Sequence, residues 1–243
     1  MLGLRKAIDS SLEKPRWQAN LSAIVRGLDL RPPFDKVVLE SIPTAARMST
    51  LHLVPKDLRD LYHVHEWRNA AGILKTACPK EWADIQAVLR EFRLYRSEVT
   101  APGQNLSKIS RRFDRGFHNR GWIEKQFETA IILDDARVES PTHKIDCFKG
   151  TVALEFEWNN KDPFYDRDLN NFRLLFELRA IEVGVIVTRA TELQGIFNAL
   201  GKGSSYGNST THLEKLLPRL DGGGGGGCPV LVFAITRALY VED

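Results

Sequence analysis

One segment of the chain alternates apolar and acidic residues. Between Val152 and Trp158, the apolar side chains of Leu154 and Phe156 alternate with Glu155 and Glu157. A period of two residues is typical of a β-strand with one buried face. The pattern therefore predicts a half-buried strand in which the two glutamates share one face.

The next segments predict a crossover unit. Apolar residues recur at helical spacing over residues 166–181, and a nearly continuous apolar run follows over 182–190. A strand, a helix and an apolar strand in this order predict two parallel strands. Either Asp166 or Asp168 is expected to cap the helix. Its predicted apolar side consists of Leu169, Phe172, Leu175, Phe176 and Leu178.

Helical periodicity is also present upstream. It predicts helices over residues 56–76, 79–98 and 121–133, and an earlier helix over Leu21–Leu30. The apolar stripes of the helices over 56–98 are expected in the core or in an interface between subunits. His63 and His65 would point in different directions on such a helix, which argues against a metal-binding pair.

The C-terminal part contains a glycine-rich loop and a final strand. Residues 201–227 show no core pattern before Leu213 and end in six consecutive glycines. The apolar run over 228–236 predicts another buried strand. The loop is therefore expected to cross the body of the domain.

Composition indicates a globular protein with a core. The chain has 243 residues, of which 43% are hydrophobic, and its formal net charge is +3. Cys78, Cys147 and Cys228 are an odd number at wide spacing, which does not indicate a disulfide framework or a zinc site. Cys147 and Cys228 lie beside apolar strand-like runs and are expected as small buried core residues. Without a run of 18 apolar residues, no membrane span is expected, and the prediction is a soluble, cytoplasmic protein.

Three acids predict a cation site. Asp146 precedes a turn at Lys149 and Gly150, and the strand with Glu155 and Glu157 follows. Carboxylates gathered at the end of adjacent strands repel one another unless a cation binds them, which is the arrangement of a Mg²⁺ site for phosphoryl chemistry. The alternative is that these acids form a solvated strand face.

A basic stretch precedes these acids. Residues 101–125 contain six Lys or Arg residues against Asp114 and Glu124, a local net charge of +4. The stretch is either a solvated helix face or a surface that binds phosphates. Its pattern alone favours neither interpretation.

Together these segments resemble a known nuclease core. The segments GWIEKQF, THKIDCFKGTVALEFEWNNKDPF, DRDLNNFRLL and SSYGNSTTH to CPVLVFAI resemble restriction endonucleases of the BglII and BstYI type, relatives of BamHI in the PD-(D/E)xK superfamily. The resemblance covers the C-terminal half to two-thirds of the chain. It implies a mixed α/β fold, with a central mixed sheet flanked by helices. The organisation expected is one nuclease domain over 1–243, with a mostly helical part over 1–100 and the catalytic core and DNA-reading loops over 101–243.

The resemblance also implies roles for particular residues. Asp146, Glu155 and the backbone carbonyl of Phe156 would bind Mg²⁺, and Glu124 would be the helix acid that orients water or a second metal. Glu157 stands where most of the superfamily has Lys, where BglII-type members have Gln and where BamHI has Glu. Its role remains open between general base, metal ligand or both.

DNA contacts are expected from three parts of the chain. The residues after the acidic strand and those of the glycine-rich loop would read bases, and the basic stretch would hold the backbone. The set is Asn159, Asn160, Lys161, Ser204, Ser205, Asn208, Thr210, Thr211 and Arg219, with Lys108, Arg111 and Arg112.

The function implied is that of a type II restriction endonuclease. A homodimer would hydrolyse both strands of double-stranded DNA at a short palindrome, for which the resemblance implies a GATC centre, and leave 5′-phosphates. A DNA methyltransferase would protect the host's own sites. The alternatives are another nuclease with this core, for repair or branched DNA, and a DNA-binding module without catalysis.

Overall fold

A computed structural model of the protein describes residues 49–102 and 107–243. Contacts divide the chain into Met1–Arg47 and Met48–Asp243, and the described residues belong to the second unit. The predicted helix over Leu21–Leu30 lies outside them.

The strands are β1 (Tyr62–Trp67), β2 (Leu94–Tyr95), β3 (Ile123–Lys125), β4 (Ala130–Leu133), β5 (Ala136–Glu139), β6 (Ile145–Lys149), β7 (Val152–Glu157), β8 (Val183–Arg189), β9 (Val230–Ile235) and β10 (Tyr240–Val241). The helices are α1 (Lys56–Leu61), α2 (Ala70–Ala77), α3 (Pro79–Glu91), α4 (Arg96–Thr100), α5 (Lys108–His118), α6 (Phe164–Glu177), α7 (Leu193–Ala199) and α8 (Leu213–Asp221), with short 3₁₀ turns at Leu51–Leu53 and Arg237–Leu239.

The described residues form a six-stranded mixed sheet. Its order is β1-β9-β8-β7-β6-β3, with β7, β8 and β9 parallel and the other pairs antiparallel. Helices cover both faces, so the predicted mixed α/β class is confirmed. None of the described helices is both long enough and apolar enough to cross a bilayer.

The acidic strand lies in the interior of this sheet. Leu154 and Phe156 of β7 face one apolar cluster, in which the rings of Phe156 and Phe113 stack with centroids 4.0 Å apart. Ala153 faces the second cluster, under α6. The predicted alternation is correct, but the strand is buried on both faces because helices cover both sides of the sheet.

The crossover unit is confirmed. Helix α6 connects β7 to the parallel strand β8, and Leu169, Phe172 and Leu175 are buried against the sheet. The prediction for Leu178 is wrong, since this residue lies just after the helix and is 55% exposed. Neither predicted aspartate caps the helix: the N-cap residue is Pro163, and no side chain bonds to the first-turn amides.

The predicted helix over 56–76 is interrupted by a strand. Residues Tyr62–Trp67 form β1, paired antiparallel with β9 over its whole length. Apolar residues in so short a segment fit either period, and pairing with the buried strand decided the outcome. His63 and His65 therefore share a side of a strand, and their rings lie 3.6 Å from Glu192 and 3.0 Å from Asp221 respectively.

Two further helix predictions need correction. The helix predicted over 79–98 ends at Glu91 and is followed by β2 and α4. Residues 121–133 form β3 and β4 instead of a helix, because β3 pairs with β6 and β4 pairs with β5. The predicted strands over 182–190 and 228–236 are present as β8 and β9. The loop over 201–227 contains helix α8.

All three cysteines are free and buried. Cys147 and Cys228 each belong to one of the two apolar clusters, as expected for small core residues. Burial raises the pKa of the Cys228 thiol to about 12, so it stays protonated near neutral pH.

Candidate active site

Asp146 and Glu155 lie side by side on neighbouring strands. The antiparallel register that pairs Cys147 with Leu154 also brings Asp146 next to Glu155. The Asp146 amide donates to Glu155 Oε2 at 3.3 Å, and the Phe156 amide donates to Asp146 Oδ2 at 3.0 Å. These two bonds hold both carboxylates in place near the carboxyl end of β7.

The charges at this position are poorly compensated by protein groups. Burial raises the pKa of Asp146, although bonds from the Phe156 amide and Glu155 oppose the shift. Burial also raises the pKa of Glu155 well above its usual value, and the charges of Asp168 and Asp146 add to this effect. Glu155 Oε1 is buried and has no hydrogen-bond partner. A cation beside these carboxylates would supply the missing partner and counter-charge.

The residues fit Mg²⁺ by their donor chemistry. Magnesium prefers oxygen ligands and often takes only one or two carboxylates while keeping several waters. Asp146 and Glu155 supply such a pair, and Glu155 Oε1 is available to it. Among the described residues, no three His, Cys, Asp or Glu side chains are grouped as a fuller ligand set. The carbonyl of Phe156 accepts a bond from the Trp158 amide at 3.2 Å in this structure.

Glu157 sits farther along the same face of β7 in a network of polar groups. Asn160 Nδ2 donates to its Oε2 at 2.9 Å, and Arg167 Nη2 lies 3.3 Å from its Oε1. Burial and the charge of Asp168 raise the pKa of Glu157 to about 9. Without a cation, this carboxyl group therefore carries a proton near neutral pH.

Two residues of this network were not predicted as part of the site. Arg167 donates from Nε to Asp168 Oδ1 at 2.8 Å, and its guanidinium lies 4.1 Å from the ring centroid of Phe164. Asp168 is buried, with its pKa raised to about 6 by burial, and its Oδ2 has no hydrogen-bond partner. A signal was present in the sequence, since Asp168 lies one helical turn before Phe172 on the apolar stripe of α6.

The acid on a helix is Asp114, not Glu124. Glu124 lies on β3, where it is exposed and forms an ion pair of 2.9 Å with Lys144. Asp114 lies on α5, and burial together with the charges of Asp146 and Glu124 raises its pKa to about 7. The helix assignment for Glu124 is therefore wrong. The charge of Glu124 helps to raise the pKa of Asp146, and the charge of Asp146 helps to raise the pKa of Asp114.

The two segments predicted to read bases form one surface. Lys161 pairs with Thr210 in a β-bridge, the Thr211 amide donates to the Asn160 carbonyl at 2.8 Å, and Asn159 Nδ2 donates to the Ser205 carbonyl at 3.0 Å. This surface continues directly from β7. Its exposed members are Asn159, Asn160, Lys161, Ser204, Ser205 and Asn208.

Three other predicted DNA contacts have different roles in this structure. Thr210 and Thr211 are buried, and Thr210 Oγ1 accepts a 2.8 Å bond from Arg189 Nη2, which also donates to the Tyr206 carbonyl at 2.9 Å. Arg219 Nε donates to Asp166 at 2.9 Å. These side chains stabilise the loop and its neighbours, because burial or ion pairing turns their polar groups toward the protein.

The basic stretch divides in a similar way. Lys108 and Arg111 lie exposed on α5. Arg112 instead forms an ion pair of 2.7 Å with Glu98 and lies 5.0 Å from the ring centroids of Phe92 and Tyr95. Its prediction as a backbone contact does not fit this packed position.

Comparison with known proteins places this architecture in a family. The sequence model of the family described as restriction endonuclease BglII/BglIII matches residues 62–235, from the first residue of β1 to the last of β9. No curated protein matches the chain. The match spans the whole central sheet and every carboxylate described above. The chain therefore belongs to the BglII/BglIII restriction endonuclease family, and it is a DNA-cleaving hydrolase of the type II restriction class.

Proposed function

We propose that the protein is a Mg²⁺-dependent, site-specific endonuclease that cuts both strands of a short DNA palindrome and leaves 5′-phosphates. The observation that carries this proposal is the pair of Asp146 and Glu155, with Glu155 Oε1 buried and without a partner. Family membership supports DNA as the substrate. The resemblance to BglII-type enzymes supports the palindrome and a centre of GATC.

The first role is to hold the cation. Asp146 and Glu155 would bind Mg²⁺, with the Phe156 carbonyl as a further oxygen ligand. When bound, the metal neutralises charge on the attacked phosphate and activates water for in-line attack. The amide bonds to both carboxylates keep their oxygens oriented before the substrate arrives.

The second role is proton handling beside the phosphate. Asn160 and Arg167 orient the carboxyl group of Glu157, and the hydrogen bond to Arg167 connects it to Asp168. We infer that Glu157 accepts or shares the proton of the attacking water, or joins the metal ligands, once a cation lowers its pKa. No covalent intermediate is needed, and the 3′ oxygen leaves.

The third role is to orient a water molecule near Asp146. Asp114 and Glu124 are the candidates, because each interacts electrostatically with Asp146. We propose that one of them orients water or a second metal, and Asp114 has the stronger case because it is more buried than the exposed Glu124.

DNA binding is proposed for the surface that follows β7. Asn159, Asn160 and Lys161 would contact base edges together with Ser204, Ser205 and Asn208. Exposed Lys108 and Arg111 would hold phosphates. A homodimer and a DNA methyltransferase with the same specificity complete the proposed restriction system.

Plasmid digestion tests this function. Unmethylated plasmid is incubated with the full chain in Mg²⁺ or in EDTA, alongside Asp146→Asn and the matched control Asp60→Asn, an exposed acid on α1. We expect discrete fragments with the wild type and control in Mg²⁺ only, which ligate without prior phosphorylation. Equal cleavage by Asp146→Asn, or cleavage in EDTA, would contradict the proposal.

A further inference from the structure

A β-ribbon extends from the edge of the central sheet. Beyond the β3–β6 pair, the Thr142 amide donates to the Phe127 carbonyl at 2.9 Å and the Ser140 amide to the Thr129 carbonyl at 2.7 Å. The strands β4 and β5 continue this pairing. Residues 127–142 therefore form one two-stranded projection, called the arm below.

The arm projects from the end of the sheet that carries the carboxylates. Strand β6 runs antiparallel to β7, so the residues before Ile145 lie beyond the carboxyl end of β7, where Glu157 is located. At about 3.3 Å per residue, the arm reaches roughly 20 Å past the sheet. This reach exceeds the width of a major groove, about 12 Å. The arm is long enough to extend alongside a DNA duplex bound at the carboxylates.

One face of the arm is apolar and uncovered. Ile131 pairs directly with Val138, and Leu133 follows on the same face. Their exposed fractions are 62%, 58% and 71%. Four of the seven exposed large apolar side chains among the described residues lie on the arm. Adjacent exposed apolar side chains of this kind are typical of an interaction surface.

The charge of the arm argues against DNA as that partner. Residues 128–139 contain four acids and one Arg, a net charge of −3, and Asp134 and Asp135 occupy the tip. Phosphates would be repelled by this tip. The chain as a whole is +3, so the residues outside this segment carry a net charge of +6, and Arg115 lies exposed on helix α5. A second copy of the chain has the complementary charge.

We propose that the arm is part of the homodimer interface and packs its face of Ile131, Leu133 and Val138 against a second copy of this chain beside the bound duplex. This inference rests on the proposed function, because cutting both strands of a palindrome brings two active sites onto one duplex. Stable interfaces bury about 800 Å² on each partner. Three side chains provide less, so the arm contributes one region of a larger contact.

The test compares the two faces of the arm. Ile131→Ser/Leu133→Ser removes two of the three large apolar side chains of this face, and Ile132→Ser removes the one large apolar side chain of the opposite face. All three positions are exposed, so folding should be unaffected, which circular dichroism checks. Sedimentation equilibrium of the full chain, alone and with a site-containing duplex in EDTA, gives the dimer dissociation constant. We expect the double variant to raise it at least about tenfold, from lost apolar burial, with little change for the control.

The outcomes separate the interface from the enzyme. A double variant that dimerises as tightly as the wild type overturns the interface, as does a wild type that is monomeric both alone and on DNA. Weaker DNA binding with an unchanged dimer constant also overturns it, in favour of a DNA contact. A dimer that depends on the arm but cleaves no DNA supports the interface and contradicts the proposed function alone.

Discussion

At the scale of single residues, the decisive feature is a buried carboxylate oxygen without a partner. Glu155 Oε1 has no hydrogen-bond donor, whereas Oε2 of the same carboxylate accepts from the Asp146 amide. Leaving a charged group buried and unpaired costs free energy, and the raised pKa of Glu155 has the same cause. The ionised form of Glu155 is therefore unfavourable in the metal-free protein. Removing this charge should raise stability and, if Glu155 binds the cation as proposed, abolish activity.

Glu155→Gln should stabilise the metal-free protein while removing its activity. The amide keeps the shape of the side chain but carries no charge to bury, so we expect a higher melting temperature in EDTA. Cleavage in Mg²⁺ should fall at least about a hundredfold, as ligand-shell changes commonly cause. Scanning calorimetry and plasmid cleavage provide the two readings, with Asp60→Asn as control. A lower melting temperature of the variant in EDTA would contradict the account, because it would mean that the charge of Glu155 stabilises the metal-free protein.

Asp168→Asn should slow cleavage without weakening DNA binding. Asp168 holds Arg167, which contacts Glu157, but it has no exposed atom with which to touch DNA. We expect kcat to fall roughly tenfold to a hundredfold and KM to stay nearly constant, as for a residue that positions another. Steady-state cleavage of a short duplex measures both constants. An effect on KM alone would contradict the positioning role.

At the scale of elements, the reading surface depends on one buried arginine. Arg189 at the end of β8 bonds to the Tyr206 carbonyl and to Thr210, and it lies 5.5 Å from the ring centroid of Phe197. Burial lowers its pKa to about 10, so it remains charged at neutral pH. The loop over 204–211 is thereby fixed against Asn160 and Lys161. Its conformation is a property of the folded core.

Arg189→Met should reduce sequence discrimination more than stability. Losing two hydrogen bonds costs about 0.5–1.5 kcal/mol each, which removal of a buried charge partly offsets. We expect the ratio of cleavage at the true site to cleavage at sites with one mismatch to fall at least about tenfold. The control is Arg237→Met, at an exposed arginine outside the loop over 204–211. An unchanged ratio would show that Arg189 does not set the loop for recognition.

Elements that lie in the centre of the sheet were predictable from the sequence, and those at its edges were not. Strand β7 and the crossover to β8 carry strong periodic signals because burial fixes every position. Strands β1 and β3 have short, mixed patterns that fit a helix equally well, and only pairing with β9 and β6 makes them strands. Asp168 was missed because its role depends on Glu157, ten residues away and on another element.

At the scale of the whole molecule, the acids near β7 connect stability to pH. Burial raises the pKa of Asp168 to about 6, of Asp114 to about 7 and of Glu157 to about 9. Each value exceeds the usual value near 4, so the folded protein binds more protons than the unfolded chain across this range. The resulting stability is present below about pH 4 and is lost as the pH rises toward 9.

Mg²⁺ should therefore stabilise the protein more at alkaline than at acidic pH. At about pH 8 the acids have begun to lose their protons, so the cation does not have to displace them. A free Mg²⁺ concentration of about 100 times the dissociation constant then adds roughly 2.7 kcal/mol to the free energy of unfolding. At about pH 5 protons compete with it, and we expect a much smaller rise. Melting curves with Mg²⁺ and with EDTA at both pH values test this expectation. Equal rises at both values would contradict a coupling between the protonation of these acids and binding of the cation.

The most direct measurement is sequencing of every DNA end that the wild-type chain produces from a complex unmethylated DNA in Mg²⁺. A site-specific restriction endonuclease predicts one palindromic sequence, one cut position on each strand and 5′-phosphate at every end, with none of these ends in EDTA or with Asp146→Asn. Scattered ends without a common sequence, or identical ends from Asp146→Asn, would contradict the central claim.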